Sequence, residues 1–364
     1  MKAIVFDGEK LSARDDVEVK DPGAGEVRVR MVASGVCHSD LSVVNGTIPF
    51  PTPLVMGHEG AGIVDEIGPA VTKVQVGDHV VLSTLGNCGA CPACDSGHPT
   101  HCRDTFGGRP QPFTVGGEAT YAFANASTFS EYTVVKENQA VSIDKRVPLT
   151  SASLIGCGVI TGVGAVFNRA KVGHGQSAAV FGVGGIGLNV IQGLRLSDAL
   201  PIIAVDTNPK KEPLALEFGA THFVDASTTD AATAIRDLSG GGVDYSFECI
   251  GNAKVIRTAI DVLDWGGTCV ILGVPGFTEE GAFNVLSLLY VDRTIMGCRY
   301  GSARPQHDFP MLADLYLAGR LKLDQLVTRT YPLTDVQQAL DDMHHGDVAR
   351  GVLTISDPPS LDPP

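Results

Sequence analysis

Two hydrophobic rhythms divide this chain. From residue 1 to about 81, apolar and polar positions alternate in short runs (27–32, 62–67, 79–82) broken by frequent Gly and Pro. Period-two alternation predicts half-buried strands and a compact β-rich domain. Residues 83–125 read as loop, 130–135 as a further strand, and 154–172 as a helix. Apolar runs then alternate with stretches of helical spacing: strands at 178–181, 202–205, 223–225, 244–248, 268–272 and 294–297, helices at 188–196 and 214–218. That alternation predicts a doubly wound parallel α/β sheet over 158–298. A helical stretch at 311–319 and a strand at 351–355 predict a return to the first domain, with 358–364 frayed. The expected division is 1–157, 158–298 and a returning 299–364.

The second domain carries its own chemistry. Gly182-Val183-Gly184-Gly185-Ile186-Gly187 follows an apolar run and opens a helical one, and Asp206 closes the next strand nineteen residues later. This is the layout of a dinucleotide-binding βαβ unit. Gly182 makes the tight turn, Gly184 admits a pyrophosphate to the backbone, and Gly187 lets the helix pack on the strand. The helix N-terminus supplies unpaired N–H groups for the anion. Asp206 accepts hydrogen bonds from ribose hydroxyls and repels a 2′-phosphate, and 207–211 holds no Arg. NAD is expected, not NADP.

A formal charge of −14 argues against nucleic acid or anionic membrane as a partner. No apolar run is long enough to span a bilayer, and Met1 to Asp7 lacks a signal peptide's pattern, so a cytoplasmic protein is expected. Nine cysteines then need an explanation other than disulfides. Cys88, Cys91, Cys94 and Cys102 crowd into one loop, 88–102, and four thiolates fill a tetrahedral zinc, the mark of a structural site. His98 and His101 lie inside that loop and are expected to be solvated. Cys249, Cys269 and Cys298 sit in apolar surroundings and read as core thiols.

Three scattered segments remain: Gly35-Val36-Cys37-His38-Ser39-Asp40, Gly57-His58-Glu59-Gly60, and Gly156-Cys157-Gly158. With the four-cysteine loop and the glycine-rich unit in the same order, they resemble the zinc-dependent alcohol dehydrogenases of the medium-chain dehydrogenase/reductase superfamily, nearly end to end. The resemblance implies a GroES-like catalytic domain beside a Rossmann domain. It implies a second, catalytic zinc on Cys37, His58 and Cys157, with the fourth position open for water or substrate oxygen. It further implies that Asp40 orients His58, that Glu59 lies behind the metal, and that Ser39 passes on the substrate's proton. Many relatives end that relay at a histidine where this chain has Ser42.

Cofactor contacts implied in the same way are His38, Thr161, Gly182, Gly184, Gly185, Ile186, Gly187, Asp206, Lys211 and Arg350. Ile48, Thr84, Phe106 and Phe123 are implied as the substrate lining, a mostly apolar set suited to a primary aliphatic or aromatic alcohol. The expected reaction interconverts such an alcohol and its aldehyde, with hydride passing between a zinc-bound alkoxide and NAD(H). Thiol-dependent formaldehyde dehydrogenases and S-nitrosothiol reductases share the skeleton and form the alternative. Glutathione-using members carry an acid and an arginine where this chain has Ile48 and Phe106, while Arg103 and Arg109 leave room for another thiol such as mycothiol. The family pairs the edges of its cofactor sheets into dimers or tetramers, so a homo-oligomer is expected, with 269–274 and 286–290 as candidate edge segments.

Overall fold

The computed structural model describes residues 1–346 and 348–357, apart from the side chains of residues 106 and 107. The chain forms two units: Met1–Cys157 with Arg304–Pro364, and Gly158–Ala303. The first is β-rich. One sheet runs in the order Leu11–Arg14, Ala3–Phe6, Leu54–Val55, Glu118–Ala122, Phe113–Val115, Val17–Val19. The other runs Ala140–Ser142, His79–Leu82, Glu59–Ile67, Glu26–Gly35, Arg350–Thr354, Val327–Pro332, and Tyr132–Lys136 also pairs with Glu26–Gly35. Val27, Val29 and Met31, alternate residues of the long strand, are all fully buried with Val64, Val80 and Leu82. That is the one-faced burial the alternation foretells.

In the second unit six strands are all parallel, in the order His222–Asp225, Ile202–Asp206, Ala178–Phe181, Val243–Glu248, Leu263–Ile271, Thr294–Gly297. The first strand in sequence is third in space, and the order reverses beside it. This is the Rossmann arrangement, whose ligand crevice opens past the strand ends at the reversal. Ala178–Phe181 is buried at every residue, as a strand covered on both faces must be.

Four readings are corrected. Residues 83–125 are not plain loop: Phe113–Val115 and Glu118–Ala122 form a hairpin turned at Gly116 and Gly117, both at positive φ. The Gly-Gly pair between alternating residues is its signal. The helix expected over 154–172 is interrupted at Cys157 (φ −146°, ψ −77°), between the 3-10 turn Ser153–Gly156 and the helix Gly158–Gly164. Residues 286–290 are not a sheet edge but lie in and just after the helix Val285–Leu289, started by Asn284 accepting from Ser287 N–H. A short apolar run does not by itself distinguish strand from helix. The edge strand on that side of the sheet is Thr294–Gly297, and Cys269 lies one strand further in. Among the helices that went unread are Ala231–Ser239 and Ala253–Asp261, each begun by an Asp or Asn side chain at its N-cap. The frayed tip expected at 358–364 lies outside the described residues.

Candidate active site

Strand register brings the scattered segments together. Glu26–Gly35 runs antiparallel to Glu59–Ile67 with Gly35 opposite Glu59. Cys37, just past the first strand, and His58, just before the second, therefore emerge at the same end of the sheet. Cys157 arrives from the 3-10 turn. The ligand atoms of Cys37, His58 and Cys157 all lie within 4.8 Å of one another. Two sulfurs and an imidazole nitrogen suit zinc and leave a fourth position open.

Asp40, fully buried, organises this set. Its Oδ1 lies 3.1 Å from His58 Nδ1, which leaves Nε2 as the nitrogen for a metal. Its Oδ2 accepts the Cys37 N–H at 3.0 Å and so closes the first turn of the helix His38–Val44. One carboxylate thus orients two ligands. Asp40→Asn is expected to weaken zinc binding at this site about 10- to 100-fold, read by competition with a chelator.

Burial works against a charged His58, but Asp40 and Cys37 outweigh it and hold His58 up at about 10. Cys37 is held well below the usual thiol range by a hydrogen bond from Cys157, and Cys157 is pushed well above it by the same contact and by burial. The Ser39 oxygen stands 3.9 Å from Cys37 Sγ. Behind the set, Arg350 bonds Glu59 and donates to the Val36 carbonyl at 3.1 Å. Glu59 is 0 % and Arg350 6 % exposed, so this is a buried ion pair.

The four-cysteine loop also converges. The sulfurs of Cys88, Cys91, Cys94 and Cys102 lie within 4.8 Å of one another. Cys91 and Cys94 sulfurs are 3.6 Å apart, Cys88 and Cys102 sulfurs 3.7 Å. Four sulfurs each about 2.3 Å from zinc form a tetrahedron with edges of about 3.8 Å. The fit is good. Burial raises the Cys102 thiol, but backbone N–H groups of Cys88 and Asp104 more than reverse this and bring it to about 6. The His98 and His101 rings stack 5.4 Å apart, both exposed.

In the second unit the three motif glycines separate by role. Gly182 has φ +89°. A Cβ on Gly187 would lie 1.9 Å from the Gly182 carbonyl oxygen, so the helix Gly185–Leu196 needs glycine there to approach its strand. A Cβ on Gly184 would meet nothing within 4 Å. Packing does not require glycine at Gly184, but a phosphate seated on the backbone does. Asp206 accepts from Val183 N–H at 2.7 Å and from Lys211 Nζ at 2.9 Å. Gly184→Val is expected to keep the melting temperature and raise KM for NAD more than about tenfold. Gly187→Ala is expected to lower the melting temperature itself.

Comparison with known proteins shows the family. The model of the alcohol dehydrogenase GroES-like domain matches residues 23–145, and that of the zinc-binding dehydrogenase matches 185–318. The S-(hydroxymethyl)glutathione dehydrogenase of Synechocystis sp. is 41% identical, covering 96% of this chain and 98% of that protein. The chain belongs to the zinc-dependent alcohol dehydrogenases of the medium-chain superfamily.

The class-3 alcohol dehydrogenase of Oryza sativa is 38% identical, covering 96% of this chain and 95% of its own. Among solved structures, benzyl alcohol dehydrogenase from Acinetobacter calcoaceticus superposes with a TM-score of 0.91 at 34% identity, covering 98% of this chain and 100% of that one. This dehydrogenase is an NAD-dependent oxidoreductase with a structural zinc on its four-cysteine loop and a catalytic zinc on Cys37, His58 and Cys157.

Its other expected residues fall as follows. His38 is exposed at the start of its helix, and Thr161 is buried in the helix Gly158–Gly164. Gly185 and Ile186 are half-buried in the first turn after Gly184. Arg350, expected at the pyrophosphate, has its guanidinium bonded to Glu59 and the Val36 carbonyl. Phe123 meets the His58 ring edge-on at 5.3 Å, and Ile48 packs against the same cluster. Thr84 is half-buried, its carbonyl accepting from Asn125 at 3.3 Å. The Phe106 side chain lies outside the described residues. Phe50 went unread: its ring meets Phe123 edge-on at 5.5 Å and carries the Arg109 guanidinium 6.0 Å from its centroid. An aromatic between prolines, two residues past Ile48, was the signal.

The thiols expected in the core divide. Cys269 and Cys298 are buried, with burial pushing both up to about 11, and Cys249 is half-buried. No single described helix is long and apolar enough to cross a membrane.

Proposed function

We propose that this dehydrogenase oxidises the hydroxymethyl group of a formaldehyde–thiol adduct with NAD. The observation that carries this is the named activity of its relatives: S-(hydroxymethyl)glutathione dehydrogenases of Synechocystis sp., Saccharomyces cerevisiae and Paracoccus denitrificans are 41%, 38% and 39% identical. The carbon loses a hydride to the nicotinamide, and its hydroxyl loses a proton, so the adduct leaves as a thioester with NADH. Bound zinc supplies Lewis-acid polarisation of the substrate oxygen. Asp40 holds the His58 ring in one tautomer and one orientation. Ser39 takes the hydroxyl proton, and with Ser42 in place of a histidine, water or the ribose hydroxyls carry it onward. Glu59, its charge balanced by Arg350, tunes the field behind the metal ligands. Asp206 and Lys211 hold the adenosine ribose. Phe50 and Phe123 exclude water from the reacting carbon.

A thiol-free primary alcohol is the second reading. The aromatic wall of Phe50 and Phe123 and the likeness to benzyl alcohol dehydrogenase favour it. NADH formation separates the two. Activity with formaldehyde only when glutathione or mycothiol is added, and little with benzyl alcohol, is expected. Benzyl alcohol turned over with no thiol, and formaldehyde ignored with either thiol, would establish the second reading.

The protein acts in the cytoplasm as a homo-oligomer. Leu286, Leu289 and Tyr290 are 62%, 72% and 75% exposed and close in sequence to the edge strand Thr294–Gly297. So large an apolar surface is characteristic of an interface. Leu289→Arg is expected to shift the mass measured by light scattering down to one chain.

A further inference from the structure

One buried carboxylate in the nucleotide-binding unit has no part in this chemistry. Glu248 ends the strand Val243–Glu248 and is 0 % exposed. Its side chain accepts backbone N–H groups from Ile250 at 3.1 Å, Gly251 at 2.8 and 3.0 Å, and Asn252 at 3.4 Å. Burial raises its carboxyl, against those three N–H groups, which favour the anion. Burying an ionised carboxylate is costly, and backbone N–H groups are what it has gathered in return.

The segment it gathers is fitted on two further sides. Glu248 is in register with Phe181, the residue before Gly182. Ile250 lies against that turn: a Cβ on Gly182 would stand 2.6 Å from Ile250 Cγ1. On the other side, Leu272 and Gly273 donate to the Glu248 carbonyl at 2.8 and 3.0 Å. A Cβ on Gly273 would lie 1.9 Å from Gly251 N, so the two backbones touch. Ile250 and Val274 are nonetheless 51% and 61% exposed. Ile250 follows the strand that ends at the reversal of strand order, beside the phosphate-binding turn where a dinucleotide lies, and Val274 follows the next strand out.

We propose that Glu248 is a positioning residue for NAD, fixing residues 250–252 so that Ile250 and Val274 form an apolar rim beside Gly182. A carboxylate suits this role because both its oxygens accept: Oε1 takes contacts from all three residues, and Oε2 a second one from Gly251. Glutamine would turn one NH₂ group toward an N–H.

The test uses the full chain with both zinc ions and titrates NADH by protein fluorescence. Glu248→Gln is expected to weaken NADH binding about tenfold by loosening a preorganised rim. Zinc content, kcat and KM for the alcohol stay as in the parent, while KM for NAD rises. Ile250→Ala is expected to weaken NADH binding as well, and the double variant to be no weaker than Glu248→Gln alone, since both act through one contact. NADH affinity within about twofold of the parent in Glu248→Gln, or effects that multiply in the double variant, overturns the proposal. If Glu248→Gln does not fold, Ile250→Ala and Val274→Ala read the rim directly. Unchanged NADH affinity in both overturns it.

Discussion

Changing His58 to alanine is expected to abolish turnover, by at least roughly 10³-fold, and to leave one zinc per chain where there were two. The imidazole is one of three ligand side chains, and its orientation is already fixed by Asp40 through Nδ1. Cys37 and Cys157 alone offer a two-coordinate site, too few donors to hold the metal against water. Cys37 N–H still bonds Asp40 at 3.0 Å, so the helix it begins keeps its first turn and the unit folds. Metal analysis beside an NADH assay checks the expectation. Two zinc ions with activity near the parent's would remove His58 from the site. Zinc removal gives a second reading. In the stripped protein His58 is held at about 10, so below that pH zinc displaces its proton on binding. Zinc affinity at this site therefore strengthens as pH rises and is lost as pH falls, measurable by metal-competition titration between mildly acidic and mildly alkaline buffers.

Changing Cys102 to serine is expected to give the opposite profile. Cys102 is 2 % exposed, and its sulfur takes the Cys88 N–H at 3.4 Å as well as a corner of the tetrahedron. The surrounding loop holds only short helices, Pro92–Asp95 and Pro99–His101, with little regular hydrogen bonding to keep it folded. The metal does that. Losing such a site costs on the order of 4 kcal/mol, which in a unit of this size lowers the melting temperature by roughly 10 °C. Turnover by the folded fraction at low temperature stays near the parent's, because none of Cys37, His58 or Cys157 moves. Calorimetry with zinc analysis checks it, and an unchanged melting temperature would show that the loop holds without its metal. The two substitutions together separate the roles of the two zinc ions, since one loses chemistry and keeps stability while the other does the reverse.

Most of this was legible in the residue order, for reasons that differ by element. Cys88, Cys91, Cys94 and Cys102 are close in sequence, so short spans of chain let their sulfurs meet without help from distant segments. The glycine-rich turn is equally local: Gly182 and Gly187 answer steric demands that one βαβ unit creates, and Gly184 leaves its backbone open to a phosphate. Burial periodicity revealed the strands because a sheet face repeats every second residue. Short apolar runs were ambiguous, and 286–290 was misread for that reason. The helix Val285–Leu289 owes its start to the Asn284 cap, not to its hydrophobic pattern.

Whatever depends on register between distant segments became visible only in three dimensions. Cys37, His58 and Cys157 become one site because Gly35 pairs with Glu59 and a 3-10 turn delivers the third ligand. Arg350 reaches Glu59 because the returning strand Arg350–Thr354 pairs with Glu26–Gly35 across more than three hundred residues of chain. Phe50 joins Phe123 beside His58 through packing that spacing alone does not encode, and Glu248 comes beside Gly182 through its register with Phe181. Residue order established which donors and turns exist. Strand register settled which of them face one another, because only a hydrogen-bonded ladder sets the separation of residues far apart in the chain.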